Sequence, residues 1–133
     1  MATIAQKVSK QRTLQGVDDM SYTIDAAGRT LGRVASDAAS ALLGKKSVHY
    51  VQNKVLPVQV TIINASKLSM TEKRIANKVY IHYTGYPGGL RETPMSRFKD
   101  KKGIEEVLRK TVDGMIPRNK LRKERMKRLS VVA

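Results

Sequence analysis

Three stretches of this chain, and two isolated histidines, carry residue types that could do chemistry. Gly44-Lys45-Lys46-Ser47 has the ending of a phosphate-binding loop, GxxxxGK followed by Ser or Thr, in which backbone N–H groups and a lysine cradle phosphates. The opening glycine of that motif would have to stand at Ala39, inside an apolar helical repeat rather than after a strand, so both sequence and context exclude it. The two histidines, His49 and His82, lie far apart with no HExxH and no neighbouring carboxylate pair, and this excludes a metal centre built on them. The second stretch is Gly85-Tyr86-Pro87-Gly88-Gly89, flanked by Tyr83 and Arg91. Here a backbone with few side chains can point N–H groups at phosphate oxygens, while tyrosine offers a flat face to a base or ribose. The third is the basic run Arg118, Lys120, Arg122, Lys123, Arg125, Lys127 and Arg128, interrupted by Glu124. It lacks the alternating Glu–Lys pairs at i,i+4 that neutralise a solvated helix face, so it reads as a surface for a polyanion.

Elements to hold these stretches can be read from periodicity. Tyr22-Thr23-Ile24-Asp25 is a short strand and Ala26-Ala27-Gly28 a turn. Leu31, Val34, Ala35, Ala38 and Leu42 recur at helical spacing, with Thr30 placed to cap the helix and Gly44 suited to the left-handed position after it. Leu56 to Ile63 is a β-branched strand, Val58, Val60 and Ile62 sharing one face. Lys78 to Tyr83 is another, with Val79, Ile81 and Tyr83 on one face and Lys78, Tyr80 and His82 on the other. A basic loop, 67–78, separates them. Thr93-Pro94 reads as an N-cap followed by proline at the first helical position. A further helix is expected from Gly103 to Met115, striped by Ile104, Val107, Leu108, Val112 and Met115. Pro117 ends it, Asn119 is placed to cap the basic helix, and Leu129-Ser130-Val131-Val132 is a last strand. Strands separated by helices of this length predict an α/β sheet with helices packed on it.

Composition narrows the function class. The chain has 133 residues and a formal net charge of +15, with 41% hydrophobic residues and no cysteine. The length suits one domain able to bury a core. The missing cysteine removes disulfides, thiolate metal sites and a cysteine nucleophile together. No apolar run approaches the roughly 20 residues of a membrane span. Residues 1–66 carry 8 basic and 4 acidic side chains, and residues 67–133 carry 18 and 7, so the charge gathers in the second half. Residues 1–20 are polar and aperiodic, without the apolar core of a secretory signal, and read as an N-terminal extension to a single domain at 21–133. The acidic residues are scattered, which argues against a catalytic constellation beside the basic face.

Several motifs in order resemble one family, the bacterial-type large-ribosomal-subunit protein thirteen family. Tyr22, Asp25-Ala26, Gly28, Leu31-Gly32-Arg33 and Ala35-Ser36 resemble its opening motif, and Gly44-Lys45 the close of its first helix. Asn64-Ala65 stands at the corresponding strand end, and Gly85-Tyr86-Pro87-Gly88-Gly89-Leu90 is similar to its most specific signature. Gly114-Met115, Pro117 and Asn119 match a second one. The sequence departs from the family pattern at His82-Tyr83, at Glu72 and at Arg122-Lys123.

The resemblance implies a three-layer α/β fold with a small, largely parallel four-stranded sheet. It implies a structural role in the large ribosomal subunit, binding its RNA and supporting assembly, without catalysis and without a cofactor. The partners implied are large-subunit ribosomal RNA and neighbouring large-subunit proteins, with no membrane and no small-molecule substrate. The implied place is the ribosome of the cytoplasm, with an organellar ribosome as the alternative. Expected RNA contacts are Arg33, Lys45, Lys46 and Lys73, then Tyr86, Gly88, Gly89 and Arg91 at the glycine loop, and Arg118, Asn119, Lys120, Arg122, Lys123 and Arg125 on the basic helix. Two other readings compete: a small enzyme acting on nucleic acid, which would need clustered carboxylates, and a free regulatory RNA-binding protein.

Overall fold

A computed structural model describes residues 20–133. The N-terminal extension expected at 1–20 lies outside the described residues, except that Met20 opens the first strand. The strongest sequence pattern forms as read: α1 spans Leu31–Leu42 and buries Leu31, Val34, Ala35, Ala38, Ala41 and Leu42 along one side. Thr30 occupies its N-cap position, but its hydroxyl makes no capping hydrogen bond. The C-terminal end is a Schellman motif, with Gly44 N–H donating to Ala41 O at 2.9 Å and Lys45 N–H to Ser40 O at 3.1 Å. Gly44 sits at φ +80°, and a Cβ there would come within 2.6 Å of Leu56 Cδ1, so both conformation and space call for glycine.

Three strands, β1 (Met20–Asp25), β2 (Val58–Ile63) and β5 (Leu129–Val131), make a parallel sheet in the order β1-β2-β5. Register pairs Thr23 with Thr61 and Thr61 with Ser130. One face carries Ile24, Val58, Val60, Ile62 and Leu129, all buried under α1 and the second half of α3 (Met95–Met115), whose Val107, Leu108 and Val112 are fully enclosed. The other face presents Ser21, Thr23, Gln59 and Ser130 exposed.

This corrects the expected architecture in two respects. The sheet has three strands, not four, because the strand at 79–83 leaves it. β3 (Val79–Tyr83) pairs antiparallel with β4 (Leu90–Pro94) as a separate two-stranded hairpin. The six residues between β3 and β4 are too few for the crossover that a parallel neighbour requires, and neither hairpin face is apolar enough to be buried on both sides. The described residues also form two layers, not three. Both crossovers step the same way across the sheet, from β1 to β2 and from β2 to β5, and right-handed crossovers then place their helices on one face.

Smaller departures are local. A 3-10 turn, Ala65–Lys67, leads into the expected basic loop, which itself holds a short helix, α2 (Glu72–Asn77). Thr93 and Pro94 end β4, and the following helix begins at Met95 instead. Its helical geometry is interrupted at Gly103 (φ +81°), where the sequence pattern places a helix start. Lys120, not Asn119, precedes α4 (Leu121–Met126); Asn119 accepts from Arg122 N–H through its carbonyl at 3.1 Å.

Candidate nucleic-acid interface

Parallel strands gather the residues before them at one end of the sheet and those after them at the other. Lys45 and Lys46 follow α1 on the way to β2, and α4 leads into β5, so both approach the N-terminal strand ends. The segment 45–57 is fastened to α4 there. Arg125 Nη2 donates to the carbonyls of Gln52 and Lys54, each at 3.4 Å, and Arg128 Nη1 donates to Leu56 O at 3.1 Å. Lys46 sits with its ammonium 5.2 Å from the centroid of Tyr22.

Arg125 is the one expected contact residue whose side chain turns inward: it is 2% exposed. Its charge serves the two loop carbonyls, so its expected role as an RNA contact does not fit its position. The physical reason is helical phase, since Arg125 lies on the side of α4 that faces the 45–57 segment. Arg118, Asn119, Lys120 and Lys123 are exposed, whereas Arg122 is half-buried and paired through Nε with Asp113 Oδ1 at 3.3 Å.

Between α4 and the second half of α3 runs an open groove of about 730 Å3, lined by Arg109, Asp113, Asn119, Lys120, Arg122, Lys123, Met126 and Lys127. Five cations there face a single lining carboxylate, Asp113, which Arg122 engages; Arg109 pairs with Glu106 outside the lining at 3.6 Å, and Lys120, Lys123 and Lys127 make no ion pair among the described residues. Arg109 is a member that sequence reading missed, because nothing along the chain couples its helix to α4. Lys127 belongs to the basic run, yet only the fold puts it in the groove.

The remaining expected residues stand apart from this groove in the chain topology. Arg33 is exposed in the first turn of α1, and Lys73 is exposed on α2. Tyr86, Gly88 and Arg91 are exposed at the hairpin end, with Tyr86 at 75%. The glycine loop closes on itself through Gly89 N–H to Tyr86 O at 2.9 Å and Thr84 N–H to Gly89 O at 3.2 Å. Gly85 and Gly88 have positive φ, and a Cβ at half-buried Gly89 would overlap the Thr84 hydroxyl. The loop is thus a fixed backbone shape, and on one hairpin face Ile81, Tyr83 and Leu90 are open to solvent.

At the hairpin base the only half-buried ring of β3, Tyr80, packs at a tilt of 52° against Phe98 with centroids 4.9 Å apart. Lys110 Nζ stands 4.5 Å from the Tyr80 centroid and 5.1 Å from that of Phe98. Burial pushes the Tyr80 phenol above its ordinary value, with Arg74 pulling partly back, so the ring is neutral at physiological pH. Among the described residues no group of three His, Asp or Glu side chains could hold a metal ion. No helix among them is long and apolar enough to cross a membrane.

A family profile described as Ribosomal protein L13 matches residues 19–133. A large ribosomal subunit protein uL13 of Geobacter sulfurreducens is 39% identical over 112 residues, 84% of this chain and 78% of that protein. The corresponding protein of Clostridioides difficile is 41% identical over the same shares, and that of Alcanivorax borkumensis 38%.

Proposed function

Since this chain belongs to the ribosomal protein L13 family, we propose that it is a structural constituent of the large ribosomal subunit, binding large-subunit ribosomal RNA and supporting assembly. The family is a structural one, and no step of catalysis is asked of this fold. The observation that carries the RNA reading is the groove between α3 and α4, lined by five cations of which Lys120, Lys123 and Lys127 make no ion pair among the described residues. Such a surface suits phosphates by releasing their counterions, and it reads backbone shape rather than base sequence.

In this reading Arg109, Asn119, Lys120, Arg122, Lys123 and Lys127 line one phosphate track, with Arg118 next to it in the chain. Lys45 and Lys46 extend it along the same end of the sheet. Arg33, Lys73, Tyr86, Gly88, Gly89 and Arg91 form a second set of contacts, the glycine loop offering backbone and a tyrosine face to a second RNA segment. Arg125 positions the 45–57 segment and touches no RNA. Residues 21–133 act as one binding domain, with 1–20 as an extension to it, and neighbouring large-subunit proteins complete the surroundings. The bacterial relatives favour a cytoplasmic ribosome of bacterial type.

Sucrose-gradient sedimentation of a native lysate tests the assignment. The chain is expected to travel with large subunits at low salt and to be released as salt rises. Recovery at the top of the gradient at low salt would refute it.

A further inference from the structure

A second, smaller cavity of about 200 Å3 opens between α2, β3 and α3, with Arg74, Lys78, Lys110, Tyr80 and Gly114 on its walls. Leu31 and Met95, both buried, are its apolar floor. Three cations arrive from three elements: Arg74 from α2, Lys78 from the junction before β3, and Lys110 from α3. No acid lines the cavity, and none of the three cations makes an ion pair among the described residues. The two carboxylates of α3 near Lys110 are engaged elsewhere, Glu106 with Arg109 at 3.6 Å and Asp113 with Arg122 at 3.3 Å. Lys110 and Lys78 instead lie over the Tyr80 ring, at 4.5 and 5.7 Å from its centroid. The ring steadies the ammonium groups without neutralising them.

Gly114 borders the same cavity. It lies in the last turn of α3 with no positive φ, so its backbone does not require glycine, and glycine weakens a helix. A Cβ there would meet nothing within 4 Å. Gly114 thus borders the cavity without a side chain, and the space beside its Cα is open.

We propose that this cavity is a phosphate pocket in which Arg74, Lys78 and Lys110 hold one nucleotide phosphate, with the adjoining ribose beside Thr111. The volume is below the roughly 300–1,000 Å3 typical of pockets for drug-sized molecules, and so suits a phosphate with part of its sugar. Thr111 donates its hydroxyl hydrogen to Val107 O at 2.8 Å, which leaves its oxygen free to accept from a ribose hydroxyl. The phosphate is that of an RNA strand, and this assignment rests on the RNA reading above; the pocket itself does not.

The test uses the full chain in two assays. Inorganic phosphate is titrated while the Thr111 and Gly114 amide resonances are followed by NMR, and large-subunit RNA binding is measured across salt concentrations. Gly114→Leu fills the cavity without removing a charge, and the pair Arg74→Gln with Lys110→Gln removes charge without filling it. Thermal melting confirms that each variant is folded. Saturable shifts are expected in the wild type and are lost in both variants. RNA affinity should fall about tenfold in Gly114→Leu, with a log–log salt slope shallower by about 0.7–0.9. Saturable phosphate shifts with an unchanged RNA slope would overturn the RNA assignment and leave a site for a free nucleotide. No shift with phosphate and wild-type RNA binding by Gly114→Leu would overturn the pocket. A wild type that binds no RNA would overturn the RNA reading alone, since the phosphate titration is read separately.

Discussion

Asn64 donates its side-chain amide to Asp25 Oδ1 at 2.9 Å, joining the C-terminal ends of β1 and β2 through one carboxylate. The same oxygen receives Ala27 N–H at 3.0 Å, so it also holds the turn that leads into α1. Asn64 reaches this place with φ +56°, the left-handed region that asparagine enters more readily than most residues. From here Gly28 N–H continues the connection to Lys67 O at 3.0 Å.

These hydrogen bonds, first that from Ala27 and then that from Asn64, hold the Asp25 carboxyl below its ordinary value. The unfolded chain therefore takes up this proton first as pH falls. Asp25 contributes its full stabilisation above the ordinary carboxylate value of about 3.9, and loses it as pH drops through the lower folded value. Urea unfolding from pH 7 to pH 3 should show Asp25→Asn with a flatter acid limb than the wild type. Identical acid limbs would assign the loss to other carboxylates.

Replacement of Asn64 should depend on backbone more than on side chain. Asn64→Ala loses the amide and strains the left-handed conformation, and should destabilise the fold by about 1–3 kcal/mol. Asn64→Gly loses only the amide and should cost less. Chemical denaturation that ranks glycine below alanine would contradict this.

Arg125 and Lys123 are neighbours on α4 with opposite fates. Arg125→Met leaves the carbonyls of Gln52 and Lys54 without their donor and should cost about 1.5–3 kcal/mol of stability, with no change in the salt slope of RNA binding. Lys123→Met should leave stability within about 0.5 kcal/mol and make the slope shallower by about 0.7–0.9. Paired denaturation and binding measurements on both variants check the contrast. A reversed pattern would move the contact to Arg125.

Replacing Arg118, Lys120, Arg122 and Lys123 together by Ala should weaken RNA binding and flatten its salt slope by roughly two to three units. The change is smaller than four full contacts because Arg122 already pairs with Asp113. Filter binding between low and moderate salt gives the slope directly, and a wild-type slope would make the run a solvated face only.

What the sequence determined by itself was local. The apolar repeat of α1, the left-handed turn at Gly44, the break at Gly103 and the alternation of β2 all follow from side-chain spacing and backbone sterics within a few residues. The basic run and the glycine loop were equally plain, and with the ordered family motifs they were enough to indicate the family. Tertiary structure decided what depends on partners far along the chain. The strand at 79–83 joins β4 rather than the parallel sheet, because a short loop permits only an antiparallel neighbour. Both long helices share one sheet face because both crossovers step in the same direction. Helical phase turns Arg125 inward while Lys123 faces out, and packing alone brings Arg109 to α4 and Lys110 to Tyr80. Spacing along a chain states which residues share a face; only the packed fold states what that face meets.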